Sequence, residues 1–257
     1  MSILDEIVQH TVKRIKIEKR MFKLPERDLP TLSLRSALCS HASPGIIAEY
    51  KRASPRGIIN LTLDCEEFVK YTRDYVRGYS VLTEPKWFLG SYTFLRIVKE
   101  ESGKPTLMKD FVVDPWQIDL AFSIGADVVL LIVKVLGIDK ALEFHDYARS
   151  LGLDTIIEVD NVNDAIEVSK CIKKGETILG VNSRNLTTLD ISIDRCIDIV
   201  KAVDYDLIIA ESGISRCDDI MKFKDVKTKV KGFLIGTSIM KNIELIKDLH
   251  TACSLLY

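Results

Sequence analysis

Short runs of apolar, largely β-branched residues alternate with amphipathic segments along most of the chain. The runs occupy residues 46–48, 79–82, 106–108, 128–133, 155–157, 178–181, 207–210 and 232–235. Near-continuous apolar runs of this length fit strands buried on both faces, as in a parallel sheet. The intervening segments carry helix signals. Asp114 caps a helix with Pro115 at its first position and Gly125 after its end. Leu142, Tyr147 and Leu151 keep helical spacing before Gly152. Asn163 or Asp164 opens a helix that stops near Gly175, and Ser215 caps one running through Met221. Eight strand–helix units in roughly 210 residues predict a (β/α)8 TIM barrel. An open doubly wound sheet normally has fewer strands and a glycine-rich first turn, and neither GxGxxG nor GxxxxGK[ST] occurs. Residues 1–44 precede the first strand. Ile3, Ile7, Val8, Val12 and Ile15 predict an amphipathic helix there, and 32–38 a second, separated by a break from Leu24-Pro25 to Leu29-Pro30. This segment is too short to fold alone, so the expected organisation is one domain over 1–257, with an N-terminal helical extension (1–44) on a barrel (45–257).

Composition narrows the function classes. Hydrophobic residues make up 47% of the 257 and charged residues 28%, which suits a large core and excludes disorder as the main state. The 36 basic and 37 acidic residues nearly cancel, so nothing points to nucleic acid or an anionic membrane as a partner. A mildly basic stretch over 13–56 reads as a local anion preference. The six cysteines form no C-x-x-C pair and the four histidines no metal-ligand spacing, so reduced thiols in a cytoplasmic protein are expected, with no metal. The acidic start at Asp5-Glu6 lacks a signal-peptide pattern, and no uncharged apolar stretch reaches the roughly 18 residues of a membrane span.

In a barrel the C-terminal strand ends converge on one face, where active sites form. Here those ends are polar: Glu49-Tyr50-Lys51, Thr83-Glu84, Lys109-Asp110, Lys134, Glu158, Asn182 with Arg184 beyond, Glu211-Ser212-Gly213 and Gly236-Thr237. The two-residue strand period places Glu49 and Lys51 on the face of Ile47, so that both charges enter the mouth if Ile47 fills the barrel. Any one such charge marks only where a strand meets water; ammonium groups and carboxylates on seven strands together point to acid–base chemistry or to an ion-pair network. Ser54-Pro55-Arg56-Gly57 after the first strand, Gly213 after the seventh and Gly236-Thr237 after the eighth match the common phosphate site of this fold. Alternatives on these residues are a Schiff-base aldolase using Lys51, Lys109 or Lys134, and a phosphate-binding barrel without catalysis.

Six ordered segments resemble the indole-3-glycerol phosphate synthase family: IAEYKRASP (47–55), SVLTE (80–84), LMKDF (107–111), GVNSRNL (180–186), AESGI (210–214) and FLIG (233–236). The resemblance implies ring closure of 1-(2-carboxyphenylamino)-1-deoxyribulose 5-phosphate to indole-3-glycerol phosphate, carbon dioxide and water, in tryptophan biosynthesis and without metal or organic cofactor. It implies Lys109 as general acid at the ribulose carbonyl oxygen and Glu158 as base in the dehydration. Lys51 contacts the anionic groups and shares acid duty, with Glu49 and Asn182 holding acids and hydroxyls in place. Arg184 lies near the anthranilate carboxylate, Glu211 and Ser212 line the pocket, and Ser54, Gly213, Gly236 and Thr237 bind phosphate. Phe88, Phe111 and Leu130, with Leu131, supply the slot for the aryl ring. A lysine acid would need its pKa drawn toward neutrality by burial. Arg56 stands where the family commonly has a small polar residue, and Thr237 replaces a frequent serine. By the same analogy the N-terminal extension covers the mouth, and a monomer is expected, associated with other tryptophan-pathway enzymes.

Overall fold

Runs buried on both faces need neighbours on both sides, and eight parallel strands supply them by closing on themselves. The computed structural model describes residues 2–256. Its barrel strands are β1 (Gly45–Tyr50), β2 (Gly78–Leu82), β3 (Thr106–Lys109), β4 (Val128–Ile132), β5 (Asp154–Val159), β6 (Ile178–Asn182), β7 (Ile208–Glu211) and β8 (Val230–Ile235). Each pairs in parallel with the next, and β8 returns to β1 through Gly45↔Gly232 and Ala48↔Ile235. Helices connect the strands on the outside, as the TIM-barrel expectation requires. A small hairpin, Ala53–Ser54 with Gly57–Ile58, interrupts the first connection and was not foreseen from the pattern. Among the described residues no helix is long and apolar enough to cross a membrane.

Several boundaries differ from the sequence reading for local reasons. The helix expected to open at Asn163 or Asp164 is Val162–Cys171, because the Asn161 side chain accepts the Asp164 N–H at 2.9 Å and caps it earlier. Truncating that cap, Asn161→Ala, is expected to cost about 1 kcal/mol, seen as a lower urea midpoint with an unchanged slope. The helix after β3 is Trp116–Ser123, with Asp114 accepting the Trp116 N–H at 2.9 Å and Pro115 in the cap position. Ser215 does not cap the helix Cys217–Met221; instead its N–H and hydroxyl donate to Asp219, at 2.8 and 2.9 Å. Lys134 is not at the mouth. β4 ends at Ile132 and the chain turns at once into the short helix Val133–Leu136, which carries Lys134 outward to solvent.

The extension grips the barrel at both ends. Its first helix, Ile3–Met21, begins with a reciprocal cap between Ser2 and Asp5. Ile7 and Ile15 are buried as expected, but Val12 is half exposed, because the contact face also takes Thr11 and Arg14. Arg14 donates to both oxygens of Asp110 at 2.7 and 2.8 Å, and Asp110 also accepts the Thr83 hydroxyl at 2.9 Å. His10 meets the Trp87 ring edge-on at 5.1 Å. These contacts seat the helix beside the C-terminal ends of β2 and β3. The chain then descends, and Arg27 and the Leu32 N–H bind Asp127 at the start of β4, at 3.1 and 2.9 Å. Lys99 at 2.6 Å and the Thr106 N–H at 2.9 Å complete the shell of this fully buried carboxylate, as burial of a charge demands. The second helix, Leu34–Cys39, closes the bottom: a Cβ on Gly78 would approach Leu34 Cδ1 to 2.8 Å, and one on Gly232 would approach Leu38 Cδ2 to 3.0 Å.

Candidate active site

Strand alternation decides which side chains enter the mouth. Registered neighbours in a parallel sheet share a face, and the pairs Leu82↔Lys109, Ile132↔Glu158, Asn182↔Glu211 and Glu211↔Leu234 all point inward. Ile47 is fully buried, and Glu49 and Lys51 follow it into the mouth. The result is a cavity of about 570 Å³, within the range of small-molecule sites.

With the exceptions of Leu131 and Lys134, the candidate residues meet in this one cavity. Glu49, Lys51, Lys109, Glu158 and Asn182 line it, as do Arg184, Glu211, Ser212, Phe88, Phe111 and Leu130. Ser54, Gly213, Gly236 and Thr237 line it as well. Leu131 does not join them: it alternates to the opposite face of β4 and packs in the outer core. Phe88 and Phe111 lie 6.1 Å apart, tilted by 41°, as one apolar wall. Phe88 is held through its backbone, since the buried Glu84 carboxylate accepts the N–H groups of Lys86, Trp87 and Phe88 at 3.0, 2.7 and 3.2 Å.

Lys109 sits at the electrostatic centre. Its Nζ is 2.5 Å from Glu211, 3.6 Å from Glu158 and 4.0 Å from Glu49. Burial by itself pushes the ammonium pKa down, but the three carboxylates outweigh it and hold the group well above the usual lysine range. The expectation that burial draws this lysine toward neutrality is therefore reversed: at neutral pH it is an ammonium. Glu49 also pairs with Lys51. Burial raises the Glu49 carboxyl pKa, yet Lys51 and Lys109 together bring it below the ordinary value.

Glu158 behaves oppositely. Burial first, and then the charge of Glu211, push it up to about 8 against the pull of Lys109. Asn182 donates to Glu158 Oε1 at 3.2 Å and accepts the Arg184 N–H at 2.9 Å, tying the β6 end to its loop. Glu211 Oε1 is buried and meets no hydrogen-bond donor among the described residues. Two glycines make the crowding possible. A Cβ on Gly180, within β6, would collide with the Glu211 carboxylate and one on Gly236, just beyond β8, with that of Glu49, so both positions favour glycine. Beyond β7, Ser212 adopts φ 67°, a left-handed conformation that costs a non-glycine residue and often occurs at functional turns.

Several lining residues lay outside the sequence reading. Ile3, Leu4 and Ile7 of the first helix roof the cavity, joined by Leu186, Leu189 and Ile191 from the β6 loop and by Lys241 beyond β8. The apolar face of the first helix was visible and family analogy set the extension over the mouth, but not which of its side chains line the cavity. Among the described residues no group of three or more His, Cys, Asp or Glu is placed to hold a metal ion.

Comparison with known proteins adds to this geometry. The family model described as indole-3-glycerol phosphate synthase matches residues 4–252. An indole-3-glycerol phosphate synthase of Pyrobaculum arsenaticum is 45% identical over 230 residues, covering 89% of this chain and 88% of that protein. One from Pyrobaculum aerophilum is 43% identical over 251 residues, covering 97% and 96%. The tryptophan biosynthesis protein TrpCF of Helicobacter pylori is 35% identical over 255 residues, 98% of this chain but 54% of that one. Among solved structures, 3-hexulose-6-phosphate synthase from Salmonella typhimurium superposes with a TM-score of 0.65 at 16% identity, covering 83% of this chain and 100% of that one. That likeness speaks for the barrel alone.

Proposed function

The chain belongs to the indole-3-glycerol phosphate synthase family, and from that membership we infer that it converts 1-(2-carboxyphenylamino)-1-deoxyribulose 5-phosphate to indole-3-glycerol phosphate, carbon dioxide and water. The observation that carries the residue roles is the position of Lys109 among Glu211, Glu158 and Glu49. In the condensation the ring carbon bearing the carboxylate bonds to the ribulose carbonyl carbon, and the carbonyl oxygen takes a proton. Lys109 donates it. Even held above the usual lysine range, the ammonium is a stronger acid than the alcohol it creates by protonating the developing alkoxide, so the transfer runs downhill. Loss of carbon dioxide restores the aromatic ring. Lys51 then protonates the hydroxyl on the carbon that bore the carbonyl so that it leaves as water, and Glu158 accepts the proton released as the double bond of the indole forms.

Lys51 meets the substrate's anionic groups and shares the acid duty, while Glu49 and Asn182 keep the acids and hydroxyls oriented. Arg184 faces the aryl carboxylate, Glu211 and Ser212 line the pocket, and Phe88, Phe111 and Leu130 supply the slot for the ring. Ser54, Gly213, Gly236 and Thr237 take the phosphate. A Schiff base at Lys109 is disfavoured, because an ammonium pinned by three carboxylates is no nucleophile. On this reading the protein works as a cytoplasmic monomer. The match to just over half of the H. pylori TrpCF protein favours association with other enzymes of tryptophan biosynthesis.

Incubation with the carboxyphenylamino-deoxyribulose phosphate should produce indole fluorescence; silence under conditions where phosphate ligands bind rejects the reaction. Inorganic phosphate is expected to raise the apparent KM while leaving kcat unchanged. Kinetics indifferent to phosphate would remove Ser54, Gly213, Gly236 and Thr237 from the anion site.

A further inference from the structure

Arg56 has no role in the scheme above, and its surroundings suggest one. The cations lining the cavity are Lys51, Arg56, Lys109, Arg184 and Lys241. Lys51 is held by Glu49 and Lys109 by Glu211, whereas neither Arg56 nor Arg184 makes an ion pair among the described residues. Both guanidinium groups instead donate to one neutral acceptor, the Leu189 carbonyl: Arg56 at 2.9 Å and Arg184 at 3.3 Å. Leu189 itself has φ 64°, a left-handed conformation that a leucine keeps only when its surroundings impose it. Two positive forks converging on a single carbonyl dipole leave surplus charge at the cavity wall, and the burial of Arg184 makes that surplus more costly.

We propose that Arg56 is a specificity-determining residue that joins Arg184 in a two-guanidinium clamp on the aryl carboxylate of the substrate, leaving the Leu189 carbonyl when that carboxylate arrives. The inference rests on the reaction assigned under Proposed function. A planar carboxylate offers two oxygens, which match arginine forks better than a lone carbonyl does. Arg184 is partly buried and tied down through Asn182, while Arg56 is exposed on a short hairpin loop and free to re-aim. The Arg56 N–H donates to Ser54 Oγ at 3.3 Å, so its backbone stands at the phosphate end while its side chain reaches across to the β6 loop.

The test uses 2-aminobenzoate, aniline and inorganic phosphate as separate probes of the intact protein. The unaltered chain should bind 2-aminobenzoate more tightly than aniline. R56S should weaken 2-aminobenzoate roughly tenfold, the low end for a charge-assisted hydrogen bond, and leave aniline and inorganic phosphate unchanged. R56K, which keeps the charge but loses the fork, should fall between them. With the full substrate, the loss should fall on KM more than on kcat. Three results would overturn the clamp: unchanged 2-aminobenzoate affinity in R56S, a loss of phosphate affinity instead, or no preference for 2-aminobenzoate over aniline in the unaltered chain. The binding arms need no turnover, so a protein that forms no indole yet binds 2-aminobenzoate through Arg56 would refute the reaction and keep the clamp.

Discussion

Lys109→Ala should lower kcat by at least about 100-fold, the smaller end of what a positioned general acid contributes, and by as much as about 10,000-fold. The loss has two sources. The proton donor disappears from the carbonyl oxygen, and the central charge of the site goes with it. Glu211, Glu158 and Glu49 all lie within 4.0 Å of the Lys109 ammonium, so its removal leaves neighbouring carboxylates without their common partner. Like charges at such distances cannot all stay ionised, and the site should take up a proton. Steady-state and single-turnover kinetics separate the effect on chemistry from that on binding. A variant within about tenfold of native kcat would move the proton donor to Lys51, the lysine that shares Glu49 with Lys109.

Glu158→Gln should cost about 100-fold or more in turnover, and it should also change two pH profiles. The carboxyl is raised from its ordinary value of 4.5 to about 8 by burial and by Glu211. A base must be ionised, so kcat/KM of the unaltered enzyme is expected to climb with pH, pass its half-maximal value near pH 8 and level off above it. In the glutamine variant the residual activity should lack that limb. Stability should move the opposite way. A raised folded-state pKa means that the folded protein holds the proton more tightly than the unfolded chain. The contribution is fully present below pH 4.5 and is lost as pH rises through about 8. Thermal melts at pH 5 and pH 9 should therefore show the native protein losing more stability across that interval than Glu158→Gln does. Equal losses in the two proteins would place the pH-sensitive proton on another group.

Most of this site was legible in the sequence because barrel strands carry their information locally. A strand buried on both faces is apolar until it leaves the sheet, so the first polar residue after each run marks the mouth, and Glu49, Lys109, Glu158, Asn182 and Glu211 were found in that way. The rule failed where the end of a strand was not marked by its pattern. The run at 128–133 is apolar throughout, so nothing in it shows that β4 stops at Ile132, that Lys134 turns away on a helix, or that Leu130 faces inward while Leu131 faces out. Asn161 was missed as a cap for a similar reason: three polar candidates stand within four residues, and only the backbone path selects one.

Contacts across the chain were beyond sequence reasoning. Arg14 meets Asp110 and Arg27 meets Asp127 only because the extension runs down the outside of a closed barrel, and no local pattern encodes those pairings. The same holds for Arg56 and Arg184 meeting at Leu189.

The sequence by itself determined the barrel, the order of its strands and the residue types at its mouth, since strand and helix periods and caps act over only a few residues. The tertiary structure alone decided the protonation of that mouth. The carboxylates around Lys109 come from β1, β5 and β7, and they meet only when the sheet closes. Their summed field then exceeds the cost of burying the ammonium, which keeps Lys109 charged while Glu158 beside it holds its proton.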